Sequence, residues 1–161
     1  MSLSMFRRIL VAVEDTGDIE RILDLVRQVA DEESQIRALH VSLRQQYGGG
    51  RFALETSAQA SFVADAAAFE LRMAGLGAGG TWRHAMVGRA AETTVEEAAR
   101  FRADLLVLGA PRRGEVAARI FGSFTQRVLL LSPCPVLVAP RGVPLAPEAA
   151  GDPSLPVPSR S

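Results

Sequence analysis

The sequence predicts an α/β fold, an open, parallel, five-stranded sheet with helices on both faces. Three observations lead there. Short apolar runs such as Ile9–Val13 and Val136–Ala139 are too brief for helices and read as strands covered on both sides. Between such runs lie segments whose apolar residues recur at helical spacing. The two patterns alternate as βαβαβαβαβ over ~140 residues, the order expected of parallel strands joined by helical crossovers.

Ile9–Val13 is the first strand. Asp15 or Thr16 can cap the segment that follows, in which Ile19, Ile22, Leu23, Val26 and Val29 share a helical face. Residues 36–42 read as the second strand, and residues 44–50 as a turn ending in three glycines. Residues 56–73 are alanine-rich, with Phe62, Ala66, Phe69 and Met73 at helical spacing, and the glycines at 75, 77, 79 and 80 stop the helix. A third strand is expected at 82–87. A short helix at 90–101 has Ala91, Val95, Ala98 and Ala99 on its apolar side. The fourth strand is expected at 104–108. Ile120, Phe121, Phe124, Val128 and Leu131 mark the last helix, which Pro133-Cys134-Pro135 ends before a fifth strand at 136–139. The domain is therefore expected over residues 7–141, after an extension at 1–6. Residues 142–161 hold five prolines and no apolar period, so a disordered tail is expected there.

The 161 residues include 18 basic and 18 acidic ones, a formal net charge of zero. Every basic residue is arginine. The lack of lysine excludes a P-loop ammonium, a Schiff base and a receiver-type switch lysine. The neutral balance argues against unspecific nucleic-acid binding. A single cysteine, Cys134, excludes an intrachain disulfide. With only His40 and His84 to help it, a structural zinc site is not expected. No apolar run approaches the ~20 residues of a membrane span, and the first residues lack the apolar stretch of a signal peptide. A reduced, cytoplasmic protein without membrane or nucleic-acid partners is the expectation.

In open parallel sheets ligands bind beyond the carboxyl ends of the strands. That rule points to Glu14-Asp15, to Ser42 and to the segment from Gly109 onward. Gly109 lets a ligand approach the backbone closely. Gly122-Ser123 opens an amphipathic helix, whose first N–H groups and partial positive charge suit a phosphate. Arg112, Arg113 and Arg119 lie between them and add cationic forks. The same residues also make an ordinary strand-to-helix connection with solvated arginines.

Several strings in sequence resemble the universal stress protein family. They are Arg8-Ile-Leu-Val-Ala-Val13 before an acid, Ala38-Leu-His-Val41, Val87-Gly-Arg-Ala90, Ala103-Asp-Leu-Leu-Val-Leu-Gly109, Gly122-Ser123 and Pro133-Cys-Pro-Val-Leu-Val138. The likeness spans Arg7 to Arg141. It implies a Rossmann-like fold of the adenine nucleotide alpha hydrolase type and a small stress-response module. Nucleotide-binding members are similar in carrying G-x2-G-x9-G-[S/T] after strand four. Here Gly109 and Gly122-Ser123 keep that separation, but the middle glycine is Arg112. Glu14 stands where binding members have Asp. The resemblance implies that Ala12, Val13, Glu14 and Val41 surround adenine and ribose. It implies that Leu108, Gly109, Arg112, Gly122, Ser123 and Phe124 surround ribose and phosphates, with ATP and Mg as the cofactors. It also implies a homodimer paired through Val136–Ala139, and slow turnover at most. A nucleotide-free dimeric scaffold of the same fold is the alternative.

Other classes fit less well. A phosphorelay receiver would need its acceptor Asp where Gly109 stands. An adenylating amidase needs a Ser-Gly-Gly loop after strand one, where this chain is acidic at Glu14-Asp15 and Asp18. His40 is expected to pack in the sheet without a catalytic partner, and His84 to be structural or exposed. Cys134 is expected to be an unreactive, buried small residue. Asp31-Glu32-Glu33 and Glu96-Glu97 are expected to be solvated helix charge.

Overall fold

Strand and helix follow one another as the two periods require. A computed structural model of the chain describes residues 5–14, 16–109 and 122–139. The elements are β1 (Arg8–Val13), a 3-10 turn (Thr16–Asp18), α1 (Ile19–Val29), β2 (Gln35–Tyr47), β3 (Gly50–Ala53), α2 (Ser57–Met73), β4 (Ala78–Met86), α3 (Ala90–Phe101), β5 (Leu105–Gly109), α4 (Ser123–Leu131) and β6 (Val136–Ala139). Five strands are parallel, in the spatial order β4-β2-β1-β5-β6. The fold class is the expected one. Asp15, Arg112, Arg113, Gly114, Arg119, Ile120, Phe121 and the tail at 142–161 lie outside the described residues.

Alternation along β1 explains the two layers. Ile9, Val11 and Val13 face α1 and α2, packing with Ile22, Val26, Ala67, Ala68 and Leu71. Leu10 faces α3 and α4, packing with Ala98, Phe101, Leu106, Leu108 and Val128. A strand covered on both faces can spare no polar side chain, so its run is apolar throughout. The strand order reverses between β1 and β5, which places the switch point at their carboxyl ends.

The sheet has a sixth strand where a turn was expected. Residues 44–47 continue β2, and β3 returns antiparallel, pairing Arg44 with Ala53 and Tyr47 with Gly50. The turn itself narrows to Gly48 and Gly49, both at positive φ, a geometry that closes a tight hairpin. β4 also begins earlier than expected, at Ala78, and ends before Val87. Gly79 and Gly80 therefore lie inside a strand and do not merely terminate a helix.

The reason is the seat of α2. Its buried residues are Ala60, Ala64, Ala67, Ala68 and Leu71, whereas Phe62, Phe69 and Met73 are exposed. The large apolar residues recur at helical spacing but on the outer side. A Cβ on Gly80 would lie 2.7 Å from the carbonyl oxygen of Ala64. Helix and strand approach so closely that only alanine and glycine fit between them. A capping box fixes the helix start: Thr56 accepts from the Gln59 amide, and the Gln59 side chain accepts from the Thr56 amide.

Candidate functional site

A cavity of about 250 Å³ opens at the carboxyl ends of β1 and β5, on the face covered by α3 and α4. That volume is a little below the ~300 Å³ at which small-molecule pockets begin. β1 supplies Ala12, Val13 and then Glu14 at its end, and β2 supplies Leu39, Val41 and Leu43. Ala90 and Thr94 come from the start of α3, Gly109 ends β5, and Gly122, Phe124 and Thr125 begin α4. The walls are mainly apolar, with polar groups where the helices start. Gly88, at φ +86, makes the turn that delivers α3 to this place.

Two features give the cavity polarity. Gly122 is the N-cap of α4 and, lacking a side chain, brings no capping acceptor of its own to the first-turn N–H groups. Those donors and the helix dipole favour an anion there. Glu14, exposed just after β1, offers a carboxylate that can accept from hydroxyls. The frame is held by a clasp between the two helices, in which Arg127 Nε donates to Glu92 Oε1 at 2.6 Å. Its own backbone N–H, and then Arg127, hold the Glu92 carboxyl below its ordinary range. The Thr94 hydroxyl donates back to the Ala90 carbonyl of its own helix at 2.8 Å.

Of the residues expected at the site, Ala12, Val13, Glu14, Val41, Gly109, Gly122 and Phe124 line this cavity. Leu108 does not; it is fully buried among the core residues beneath α3 and α4. Ser123 is the first residue of α4, exposed and outside the lining. Arg112 lies outside the described residues. Leu39, Leu43, Ala90, Thr94 and Thr125 were not anticipated. Leu39 and Leu43 stand two residues either side of Val41, so strand alternation alone implies them.

The model of the Universal stress protein family matches residues 5–140. The chain belongs to the universal stress protein family. Solved structures agree on the fold. A universal stress protein from Archaeoglobus fulgidus is 24% identical, with a TM-score of 0.58 over 82% of this chain and 92% of that one. One from the same organism, in complex with dAMP, is 22% identical, with a TM-score of 0.56 over 83% and 98%. A universal stress protein family protein from Arabidopsis thaliana with AMP bound is 17% identical, with a TM-score of 0.57 over 89% and 97%. A search of curated protein sequences gave no match.

Three other residues of this family member differ from expectation or sharpen it. His40 is buried and has partners: Nδ1 lies 3.0 Å from the Val13 carbonyl and Nε2 lies 2.6 Å from Glu55 Oε1. Glu55 arrives through the unexpected hairpin. Alternation sets His40 with Ile36 and Ala38, on the face opposite the cavity. The pair thus joins the hairpin to the β1 backbone at Val13, and neither His40 nor Glu55 lines the cavity. His84 meets Trp82 edge to face at 4.6 Å. Burial, then Arg44, pulls its pKa down, against a smaller opposing effect of Glu55. Cys134 is half-buried, and burial pushes its thiol up, away from the reactive thiolate. Among the described residues no helix is long and apolar enough to cross a membrane, and no cluster of His, Cys, Asp or Glu could hold a metal ion.

Proposed function

We propose that this universal stress protein binds an adenine nucleotide in the cavity between α3 and α4. The observation that carries the reading is the pairing of an apolar slot with an open helix start. A purine stacks favourably between Leu39, Val41, Leu43 and Phe124. Glu14 then accepts from the ribose hydroxyls, its longer arm reaching where a shorter acid would stand in other members. The phosphates lie toward Gly109, Gly122 and Ser123, where the first-turn N–H groups of α4 receive them. Arg112 takes the middle glycine's place as a cationic fork on the phosphates, and Mg accompanies a triphosphate. The dAMP and AMP complexes of the two structural relatives support the choice of adenine. The proposed role is binding rather than turnover, in a cytoplasmic stress-response module whose partner surfaces depend on the nucleotide.

The test is a thermal-shift titration with ATP and magnesium. At a hundredfold excess over the dissociation constant, binding adds about 2.7 kcal/mol to stability, roughly 5–11 °C for a chain of this length. Gly122→Asp sets a carboxylate on the helix start and into the cavity, and is expected to abolish the shift. No shift of the wild type at millimolar ATP sinks the proposal and leaves the nucleotide-free scaffold.

A homodimer through β6 belongs to the same proposal. Among the described residues β6 pairs with β5 alone, which leaves an apolar strand edge. Just before it, α4 ends on Leu129, Leu130 and Leu131, all exposed, Leu130 to 84%. Contact with a second copy removes both liabilities at once. Leu130→Glu is expected to convert the dimer to monomer in size-exclusion light scattering, with the fold intact. A wild type that is monomeric at high micromolar concentration refutes the dimer.

A further inference from the structure

Glu97, read from the sequence as solvated helix charge, is fully buried beneath α3. Three guanidinium groups reach its carboxylate. Arg37 Nη1 lies 3.0 Å from Oε1, Arg83 Nε 2.8 Å from Oε2 and Arg100 Nη1 3.4 Å from Oε2. Arg37 also stacks on the Phe101 ring, 4.2 Å from its centroid, and Arg8 stacks there at 4.6 Å. One bidentate arginine suffices to pair a buried carboxylate. Here three converge on it, so like charges are held close together at a net positive site. Among the described residues Glu97 is the only carboxylate within ion-pair distance of any of the three.

The donors are not used up. Each guanidinium carries five N–H groups. Arg37 and Arg100 give Glu97 one nitrogen each, while Arg83 gives Nε to Glu97 and Nη1 to Thr81 and the Trp82 carbonyl. Their side chains are 36%, 38% and 63% exposed for Arg37, Arg83 and Arg100. Each side chain thus keeps N–H groups beyond those bonds and part of its surface in solvent, while Glu97 ties all three together and Phe101 carries Arg37 on its ring. None of these residues lines the nucleotide cavity.

We propose that Arg37, Arg83 and Arg100 form a second site, for the phosphate group of a small anion such as inorganic phosphate or tripolyphosphate. A phosphate offers several oxygens to several forks at once, and its charge offsets the excess that Glu97 alone does not balance. The buried carboxylate serves as the organiser: it holds the forks together before the ligand arrives, so little side-chain freedom is lost on binding.

The experiment titrates the full chain, labelled with nitrogen-15, with inorganic phosphate and separately with tripolyphosphate. Arginine Nε–Hε signals report the site, Arg83 first. Saturable shifts are expected, weakening as salt is raised. Arg100→Gln, the most exposed position, leaves Glu97 paired to two arginines and keeps the fold. It is expected to weaken binding about tenfold, and Arg37→Gln likewise. Gly122→Asp, at the other site, is expected to leave these shifts unchanged. The proposal is overturned by silence of the Arg83 signal at millimolar probe, by titrations that Arg100→Gln and Arg37→Gln do not alter, or by loss of the shifts in Gly122→Asp. Because the two sites carry separate variants, failure of one leaves the other to its own test.

Discussion

Glu97→Ala is expected to lower the stability of the fold by about 3 kcal/mol, roughly 6–12 °C in melting temperature for a chain of this length. The carboxylate ties three elements together, α3 through its own position, β2 through Arg37 and β4 through Arg83. Removing it leaves a void in a fully buried place and three guanidinium groups that repel one another. Their partial exposure lets water take them back, which sets the loss at the lower end of the range for a broken buried pair. Glu96→Ala is the control. That neighbour is exposed, and its loss is expected to stay within about 0.5 kcal/mol. Denaturant unfolding of both variants decides the point. If Glu97→Ala is as stable as Glu96→Ala, α3 is held by Ala91, Ala98 and Phe101 alone, and the ion network contributes nothing.

The same residue shows where sequence reading stops. Glu96 and Glu97 are adjacent and identical in type, and nothing local tells which one points inward. The answer comes from Arg37 and Arg83, 60 and 14 residues away, brought together only by the parallel register of β2 and β4. The parallel strands themselves were legible because burial on both faces demands continuous apolar runs at Ile9–Val13 and Val136–Ala139. The hairpin was not. Arg44, Gln45 and Gln46 carry no apolar alternation, and their pairing with β3 is satisfied by backbone groups that side-chain pattern does not report.

For the candidate site, the rule of carboxyl ends and the switch point led to Ala12, Val13, Glu14, Val41 and Gly109. The Gly122 position followed from glycine spacing in the family resemblance. Leu108 points to the same face as the cavity, but its side chain packs with Leu10 and Val128 in the layer beneath α3 and α4, below the part that Gly109 reaches. Thr94 and Thr125 needed knowledge of how α3 and α4 meet, a tertiary fact. His40 lacked a visible partner for the same reason, since Glu55 reaches it only once β3 has turned back.

Gly80→Val is expected to cost about 3 kcal/mol or more, because the space for its first carbon is already taken. An added Cβ would lie 2.7 Å from the Ala64 oxygen, 2.8 Å from the Ala64 carbonyl carbon and 2.8 Å from Asp65 Oδ1. The carboxylate tip can swing aside; the backbone of α2 cannot move without lifting the helix. That helix is pinned at its start by the Thr56–Gln59 capping box and near its end by Arg72 Nη1 on the Ala78 carbonyl at 2.9 Å. Gly80→Ala already meets the obstruction and is expected to lose about 1–2 kcal/mol. Gly79→Ala meets nothing within 4 Å and is expected to change stability by no more than about 0.5 kcal/mol. A second variant separates backbone from side-chain crowding. Adding Ala64→Gly to Gly80→Ala removes a methyl but leaves the carbonyl where it is, so no recovery is expected; Asp65→Ala should return only a small part. Unfolding curves in denaturant read all five. Recovery by Ala64→Gly would show that the methyl group, not the backbone, sets the distance between α2 and β4, and that the small residues of this helix are filling space they did not dictate.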